Sequence, residues 1–329
     1  MNSYSEDITY NETEMYWKKY QKFFPEEMQL NETNLPLEEW WVWNDFRIHL
    51  DRMTAPDSTI KIVLIHGGGG NGRLLAPYGR MLQIQGYDVV SPDLPPYGLS
   101  YSRSLKSMDY SDWINIMTEF IKQEFERDGK PIVLLGASIG GMLAYHTASM
   151  SKQVEGLIVT TFVDTSDPKV RDQIAPNKLI SRLGKAMMDS FPFVLDSVRL
   201  SVSQVSRMKL ITNNVELTSL IINDPRAAGT KIPIRFLRTF LNMSPIIKPE
   251  DFDVCPVLLI HPEIDPMTPL YLSKPFYKRL QGRKRCVILE GAGHLPIEQP
   301  GVGQMKTAIL NFLSELENDS KLKDDQFDH

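Results

Sequence analysis

Pro131-Ile132-Val133-Leu134-Leu135, Gly136-Ala137-Ser138-Ile139-Gly140 and Gly141-Met142-Leu143-Ala144-Tyr145-His146-Thr147-Ala148-Ser149-Met150 follow one another without a gap. They read as an apolar strand, a G-x-S-x-G pentad and a helix-compatible run. The pentad by itself can occur by chance. Set between a buried strand and a helix it has a mechanical meaning: a sharp turn strains the Ser, exposes its oxygen and leaves neighbouring backbone room at the flanking glycines. The helix that starts there also turns its N-terminus toward the Ser, which favours developing negative charge. The bland alternative is an ordinary strand-to-helix turn with an incidental Ser.

A serine hydroxyl is a poor nucleophile until a base takes its proton, and neutral His suits that role near pH 7. Of six His residues, His294 lies in Glu290-Gly291-Ala292-Gly293-His294-Leu295-Pro296, just past the last apolar run. Catalytic groups gather in such loops at the carboxyl ends of strands in open α/β sheets. His146 lies on the run after the pentad and reads as a packed helix residue, His49 falls in an early strand, and His329 is terminal. The base needs an acid to hold its tautomer. Asp265 follows the run Pro256–His261 in His261-Pro262-Glu263-Ile264-Asp265-Pro266 and is preferred on loop position, with Glu263 as the alternative. The chain order is then Ser, Asp, His, one of the orders in which such a triad occurs.

A third feature is the glycine stretch His66-Gly67-Gly68-Gly69-Gly70 after the apolar run Ile60–Ile65. Backbone amides there can approach a substrate without side-chain interference. A phosphate-binding P-loop would continue with Gly-Lys-Ser or Gly-Lys-Thr, whereas Asn71-Gly72-Arg73 follows. A dinucleotide fingerprint is the stronger rival. Gly67, Gly69 and Gly72 fit its spacing, and Asp88 and Asp93 lie near the required distance. That reading leaves the pentad, the acid and the base unexplained.

Working outward, apolar runs at 42–50, 60–65, 87–93, 131–136, 156–162, 256–261 and 285–291 alternate with helical spacing at 74–85, 110–127, 139–150, 269–281 and 303–316. The alternation predicts an α/β fold with a mainly parallel, doubly wound sheet. Residues 45–163 and 251–329 are assigned to this core. Residues 164–250 break the alternation with amphipathic helical patterns and are expected to be a helical cap inserted over the catalytic face. Residues 1–44 are expected to form a mostly helical N-terminal extension whose aromatics are packing anchors.

The chain has 329 residues, 42% hydrophobic and 23% charged, with a formal net charge of −5. Length and composition allow a large core, and the mild acidity argues against a nucleic-acid partner. Cys255 and Cys286 flank apolar runs and are expected to be buried, reduced thiols. The polar N-terminus lacks an apolar signal core, so the Asn11 and Asn31 sequons carry no weight. With no run long enough for an integral membrane segment, the expected location is cytoplasmic.

Together, the glycine stretch, pentad, acid and base resemble the α/β-hydrolase superfamily. Within it they are most similar to capped monoacylglycerol-lipase and lysophospholipase-like serine esterases. The resemblance covers roughly residues 45–163 and 251–316. It implies oxyanion donors at Gly68 and Ile139, and a structural role for Asp93 in Asp93-Leu94-Pro95-Pro96-Tyr97-Gly98-Leu99-Ser100, which matches D-x-x-G-x-G-x-S. Pro96 replaces the first Gly of that motif, and Pro262 replaces the Gly usual after the strand-end His. Ser138 at the pentad disfavours the Asp-dependent epoxide and haloalkane hydrolases. The expected activity is carboxylic-ester hydrolysis of a small-molecule substrate through an acyl-enzyme, with no metal or organic cofactor. The rival expectations are a serine peptidase, amidase or lactonase with the same triad, and a ligand-binding receptor that retains it. His66, Gly69, Phe193 and Phe236 are candidate substrate contacts. Met187, Met188, Phe191, Leu237, Phe240 and Leu241 are further candidates for an acyl pocket, although apolar helix faces are more often plain core.

Overall fold

In the computed structural model, which describes residues 8–12 and 16–327, the apolar runs assemble into one twisted sheet. From edge to edge it runs β1 (Leu37–Trp43), β2 (Phe46–Met53), β4 (Asp88–Pro92), β3 (Lys61–Ile65), β6 (Ile132–Gly136), β7 (Val154–Val159), β10 (Val257–Pro262) and β11 (Lys284–Leu289). The two-residue β5 (Tyr101–Ser102) adds to β2. From β4 to β11 every pairing is parallel, and β3, β6, β7 and β10 are apolar on both faces because helices cover both. The covering helices are α2 (Gly72–Gln83), α3 (Tyr110–Asp128), α4 (Ile139–Met150), α11 (Leu270–Arg279) and α12 (Gly301–Phe327). An Asp109 capping box starts α3 and left-handed Gly129 ends it.

The strand order places the site. The chain leaves β3 toward β4 on one side, then returns to the other side of β3 as β6, with Ile65 opposite Gly136. A reversal of this kind opens a crevice at the carboxyl ends of the two strands. The glycine stretch and the pentad are the two loops that leave those ends.

Two expectations about the ends of the chain need correction. Among the described residues of 1–44, helix is the lesser part: α1 (Tyr16–Tyr20) and the single turns Gln21–Phe23 and Glu26–Met28 precede β1, which already belongs to the sheet. The expected strand at 42–50 is the junction of two strands, joined through Asn44 with φ 53°. Asn tolerates that left-handed position, which closes tight hairpins. The signal was hidden because Leu37-Glu38-Glu39-Trp40-Trp41-Val42-Trp43 does not alternate cleanly; only Trp41 is buried, packed on Phe120 of α3. The anchoring role of the aromatics is seen at Trp17, Tyr20 and Phe24, all buried. Parts of the expected extension (residues 1–7 and 13–15) and terminal His329 lie outside the described residues. Cys286 is exposed, not buried, because β11 is the edge strand. Cys255 is buried and free, and burial pushes its thiol up to about 12.

Between β7 and β10 lie α5 (Pro168–Ile174), α6 (Lys178–Ser190), α7 (Pro192–Leu195), α8 (Val202–Val205), α9 (Val215–Asn223) and α10 (Ile234–Leu241). The segment also holds a short antiparallel ladder, β8 (Arg199–Ser201) with β9 (Lys231–Pro233). At three residues each, these strands are too short to register as a period-two pattern.

Candidate active site

Ser138 sits between β6 and α4 at φ 56°, ψ −127°, a conformation that non-glycine residues rarely adopt. Holding a residue there costs on the order of 1–3 kcal/mol and persists only where the surroundings enforce it. Here they do. A Cβ on Gly136 would collide with the Gly140 carbonyl, one on Gly140 with the carbonyls of Ile65 and His66, and one on Gly141 with that of Thr161. The Ser138 amide donates to Thr160 Oγ1 at 2.9 Å, which fixes the turn against the end of β7.

The glycine stretch packs on this turn. A Cβ at Gly67 would lie 2.8 Å from Ser138 Cβ, and one at Gly68 would lie 3.4 Å from Ile139 Cδ1. Gly68 and Ile139 both line the cavity that contains Ser138. Gly69 has φ +80° and is turned away, against Met208 and Ala228 of the insertion. His66 is fully buried: Nε2 accepts the Leu94 amide at 2.8 Å, leaving Nδ1–H for the Gly67 carbonyl at 2.9 Å. Burial lowers its pKa, consistent with a neutral ring. His66 and Gly69 therefore shape the loop and do not line the cavity, a correction to their expected role as substrate contacts.

On the other side, Asp265 and His294 leave the ends of β10 and β11 and meet, with Oδ2 2.8 Å from Nδ1. Asp265 Oδ1 also accepts the amides of Met267 and Thr268, at 2.9 and 2.8 Å. Burial alone would raise the Asp265 pKa; the imidazole and the Thr268 donors outweigh it and hold the carboxyl well below the usual carboxylate range. Glu263 is exposed and accepts the Gly291 amide at 2.9 Å, so it props the His294 loop. Among the described residues, no hydrogen bond joins Ser138 Oγ to His294. The two sides are linked through Thr268, which lines the cavity with Ser138 while its hydroxyl lies 2.8 Å from Asp265 Oδ2 and 3.2 Å from His294 Nδ1.

Sequence reasoning missed Thr268 and Thr160. Thr268 had a signal: it lies three residues after Asp265, where an Asp side chain commonly closes a local turn on following amides. Thr160 had none, because its contact with Ser138 crosses from one strand end to the next. A third support comes from the insertion, where Asn213 fills the space beside Gly293 and the Ile211 carbonyl accepts the Leu295 amide at 3.0 Å.

The cavity has a volume of about 290 Å³. Its walls include Met187, Met188, Phe236, Leu237, Phe240 and Leu241. Phe193, expected with Phe236 as a substrate contact, is fully exposed on α7 and stands outside; Phe191 is also exposed. Helical spacing alone does not tell which side of a four-residue helix turns inward. Arg171 and Lys185 are the only charged residues among the described lining, which contains no carboxylate.

The arrangement offers a half-buried hydroxyl at a strained turn that opens on the cavity, the backbone of Gly68 and Ile139 beside it, and a carboxylate–imidazole couple, the components of acyl transfer. Among the described residues, one other group has the composition of a metal site: Glu38, His49 and Asp51 bring ligand atoms within 4.8 Å of one another. Arg73 already occupies their charge, with its guanidinium 2.7 Å from Asp51 and 3.1 Å from Glu38. The donors fit a buried ion-pair network better than a metal centre.

Comparison with known proteins agrees with this architecture. The yeast Saccharomyces cerevisiae monoglyceride lipase, as a soluble variant bound to a substrate analogue, superposes with a TM-score of 0.70 at 15% identity, covering 89% of this chain and 98% of that one. The monoacylglycerol lipase of Paleococcus ferrophilus gives 0.66 at 19% identity, with 82% and 99% covered. In sequence, a probable protein phosphatase methylesterase 1 of Caenorhabditis elegans is 32% identical over 107 residues, a match spanning 31% of this chain and 29% of the relative's length. The hydrolase family described as serine aminopeptidase, S33, matches residues 56–300. With this match over most of its length and the sheet order above, the chain belongs to the S33 serine aminopeptidase family and has the α/β-hydrolase fold.

Proposed function

We propose that the protein is a serine hydrolase that cleaves carboxylic esters of small to medium acyl chain, including monoacylglycerol-like substrates. In this reading the insertion 164–250 is a cap over the catalytic face. Ser138 Oγ attacks the ester carbonyl while His294 Nε2 takes its proton, and the Gly68 and Ile139 amides hold the oxyanion. Collapse of the tetrahedral intermediate expels the alcohol, which receives that proton. Water then attacks the acyl-enzyme with His294 again as base and releases the carboxylic acid. Asp265 holds the imidazole in the Nδ1–H tautomer.

The observation that carries the reading is a cavity lined by apolar side chains that reaches Ser138, beside an Asp265–His294 couple with 2.8 Å between its atoms. The family description favours a second reading, an aminopeptidase. Such an enzyme needs a carboxylate facing the free amino group of its substrate, and the described cavity lining offers Arg171 and Lys185 instead. The deciding experiment compares Ser138→Ala with wild type in fluorophosphonate labelling, then compares turnover of p-nitrophenyl acyl esters and aminoacyl anilides. Labelling lost in the folded variant and turnover confined to esters are expected. Turnover of anilides over esters would replace the esterase reading with the peptidase, and saturable binding without turnover would replace both with a receptor.

A further inference from the structure

Residues before 56 lie outside the stretch that matches the family, yet the N-terminal segment is bonded into the support of the glycine stretch. Its centre is Asp93, fully buried in the loop after β4. Oδ1 accepts the amide of Gly72, the first residue of α2, at 2.6 Å. Oδ2 accepts the Leu99 amide at 2.7 Å and the Tyr10 hydroxyl at 2.8 Å, and lies 3.3 Å from His49 Nδ1. One carboxylate thus ties the end of the glycine stretch, the Asp93–Ser100 loop, β2 and the N-terminal segment. Tyr10 is held there in turn. Its amide donates to Glu38 at 2.7 Å and its carbonyl accepts Trp17 Nε1 at 2.9 Å. The guanidinium of Arg73, the next residue of α2, lies 4.7 Å from the Tyr10 ring centre and 4.8 Å from that of Trp17.

The same segment reaches the insertion. Tyr20 donates its hydroxyl to Asp224 at 2.5 Å, and Asp224 Oδ1 accepts the Arg226 amide at 2.8 Å. The Arg226 carbonyl accepts the Gly98 amide at 2.8 Å and Asn71 Nδ2 at 3.2 Å. Two residues on, Ala228 packs on Gly69. Two buried hydroxyls, Tyr10 and Tyr20, are therefore connected to the glycine stretch by separate chains of contacts, one through Asp93 and one through the insertion.

We propose that the N-terminal segment is a positioning strap, in which Tyr10 through Asp93 and Tyr20 through Asp224 fix the Gly67–Gly70 loop and the part of the insertion that packs on it. The inference rests on the reading of Gly68 as an oxyanion donor. Neither tyrosine lines the cavity, so each acts through the loop. An interaction used in the transition state and not for ground-state binding appears in kcat with little change in KM.

The test uses the full chain with Tyr10→Phe, Tyr20→Phe and the double variant, each assayed on a p-nitrophenyl ester at least 15 °C below its own Tm, a margin of roughly four to eight times the ~2–4 °C that a ~1 kcal/mol loss moves a domain of ~150–250 residues. Hydrogen exchange of the amides between Gly68 and Gly72 is measured in parallel. Tyr10→Phe is expected to lower kcat about 3- to 30-fold, in the range of losing ~0.7–2 kcal/mol of transition-state stabilisation. KM should stay within about twofold and exchange of the loop amides should rise. The double variant should lose more than either single. Wild-type kcat and loop exchange in all three folded variants, whatever their Tm, would overturn the strap. Ser138→Ala run beside them separates the two ideas. If it still labels with fluorophosphonate, the assignment of Ser138 as nucleophile falls; if labelling is lost but the tyrosine variants are silent, only the strap falls.

Discussion

At the scale of single residues, the proposed acid and its neighbours make the sharpest contrast. Asp265 is buried against His294 with three donors on its oxygens, whereas Glu263 faces solvent and holds a loop amide. Asp265→Asn replaces an acceptor with an amide, turns the imidazole to the wrong tautomer and should cost about 10⁴ in kcat. Glu263→Gln keeps a carbonyl oxygen for Gly291 and should cost less than about tenfold, because exposed hydrogen bonds contribute little. Thr268→Val should fall between them: it removes the hydroxyl from Asp265 and His294 but keeps the backbone donor and the shape. Steady-state kinetics on one ester ranks the three, and a larger loss for Glu263→Gln than for Asp265→Asn would reassign the acid. Asp265 and His294 were legible because each is a chemically distinctive residue just past an apolar run. Thr268 was less so, since threonine is common and its role depends on where the ring of His294 comes to rest.

At the scale of elements, α6 and α10 were legible as amphipathic helices, but their orientation was not. Phe236 and Phe240 of α10 pack with Tyr110 and Trp113 of α3 and are buried, while Phe193 of the short α7 stands in solvent. If the apolar wall receives an acyl chain, each added methylene is worth about 0.8 kcal/mol, nearly fourfold in affinity. The ratio kcat/KM should then climb along a p-nitrophenyl series from acetate until the cavity is filled. Phe236→Asp should flatten the climb, and Phe193→Asp should leave it unchanged. A flat wild-type profile, or equal effects of the two substitutions, would take the cavity out of the specificity argument. The β1–β2 hairpin was hidden for the same reason that α7 misled: an edge strand and a four-residue helix are placed by what they pack on, and their own periodicity is too short to say.

At the scale of the whole molecule, the chain order of the parallel strands and the crevice between β3 and β6 follow from features readable in order along the sequence. The buried charge network does not, because it draws Tyr10, Glu38, His49, Asp51, Arg73 and Asp93 from five separate segments. It gives the fold a pH dependence. Burial alone would lower the His49 pKa, but Asp93, Glu38 and Asp51 outweigh it and raise the group from its ordinary 6.5 to about 9. A raised folded-state pKa means that the protonated ring favours the native state. That contribution is complete below about pH 6.5 and is lost as pH rises through about 9. Thermal unfolding followed from pH 6 to pH 10 should show Tm falling across this window in wild type, and a shallower fall in His49→Gln. Equal slopes would mean that His49 does not titrate in the network.

The insertion touches both halves of the site through main-chain groups: the Arg226 carbonyl takes the Gly98 amide, and the Ile211 carbonyl takes the Leu295 amide. Main-chain contacts persist when side chains drift, so they constrain the path of the backbone more than the identity of its residues. For recombination between relatives this makes residues 164–250 a poor module to exchange alone. A graft would have to reproduce the backbone positions at Ile211 and Arg226, with side chains that fit against Gly69 and Gly293 as Met208, Ala228 and Asn213 do, before any borrowed pocket could be useful. Ahead of those fixed points in the chain, the stretch from α6 to β8 supplies Ile180, Met187, Met188, Leu195 and Leu200 to the cavity's apolar wall and is the place where sequence can diverge, or be randomised in a library, with the loops of the reaction centre left where they are.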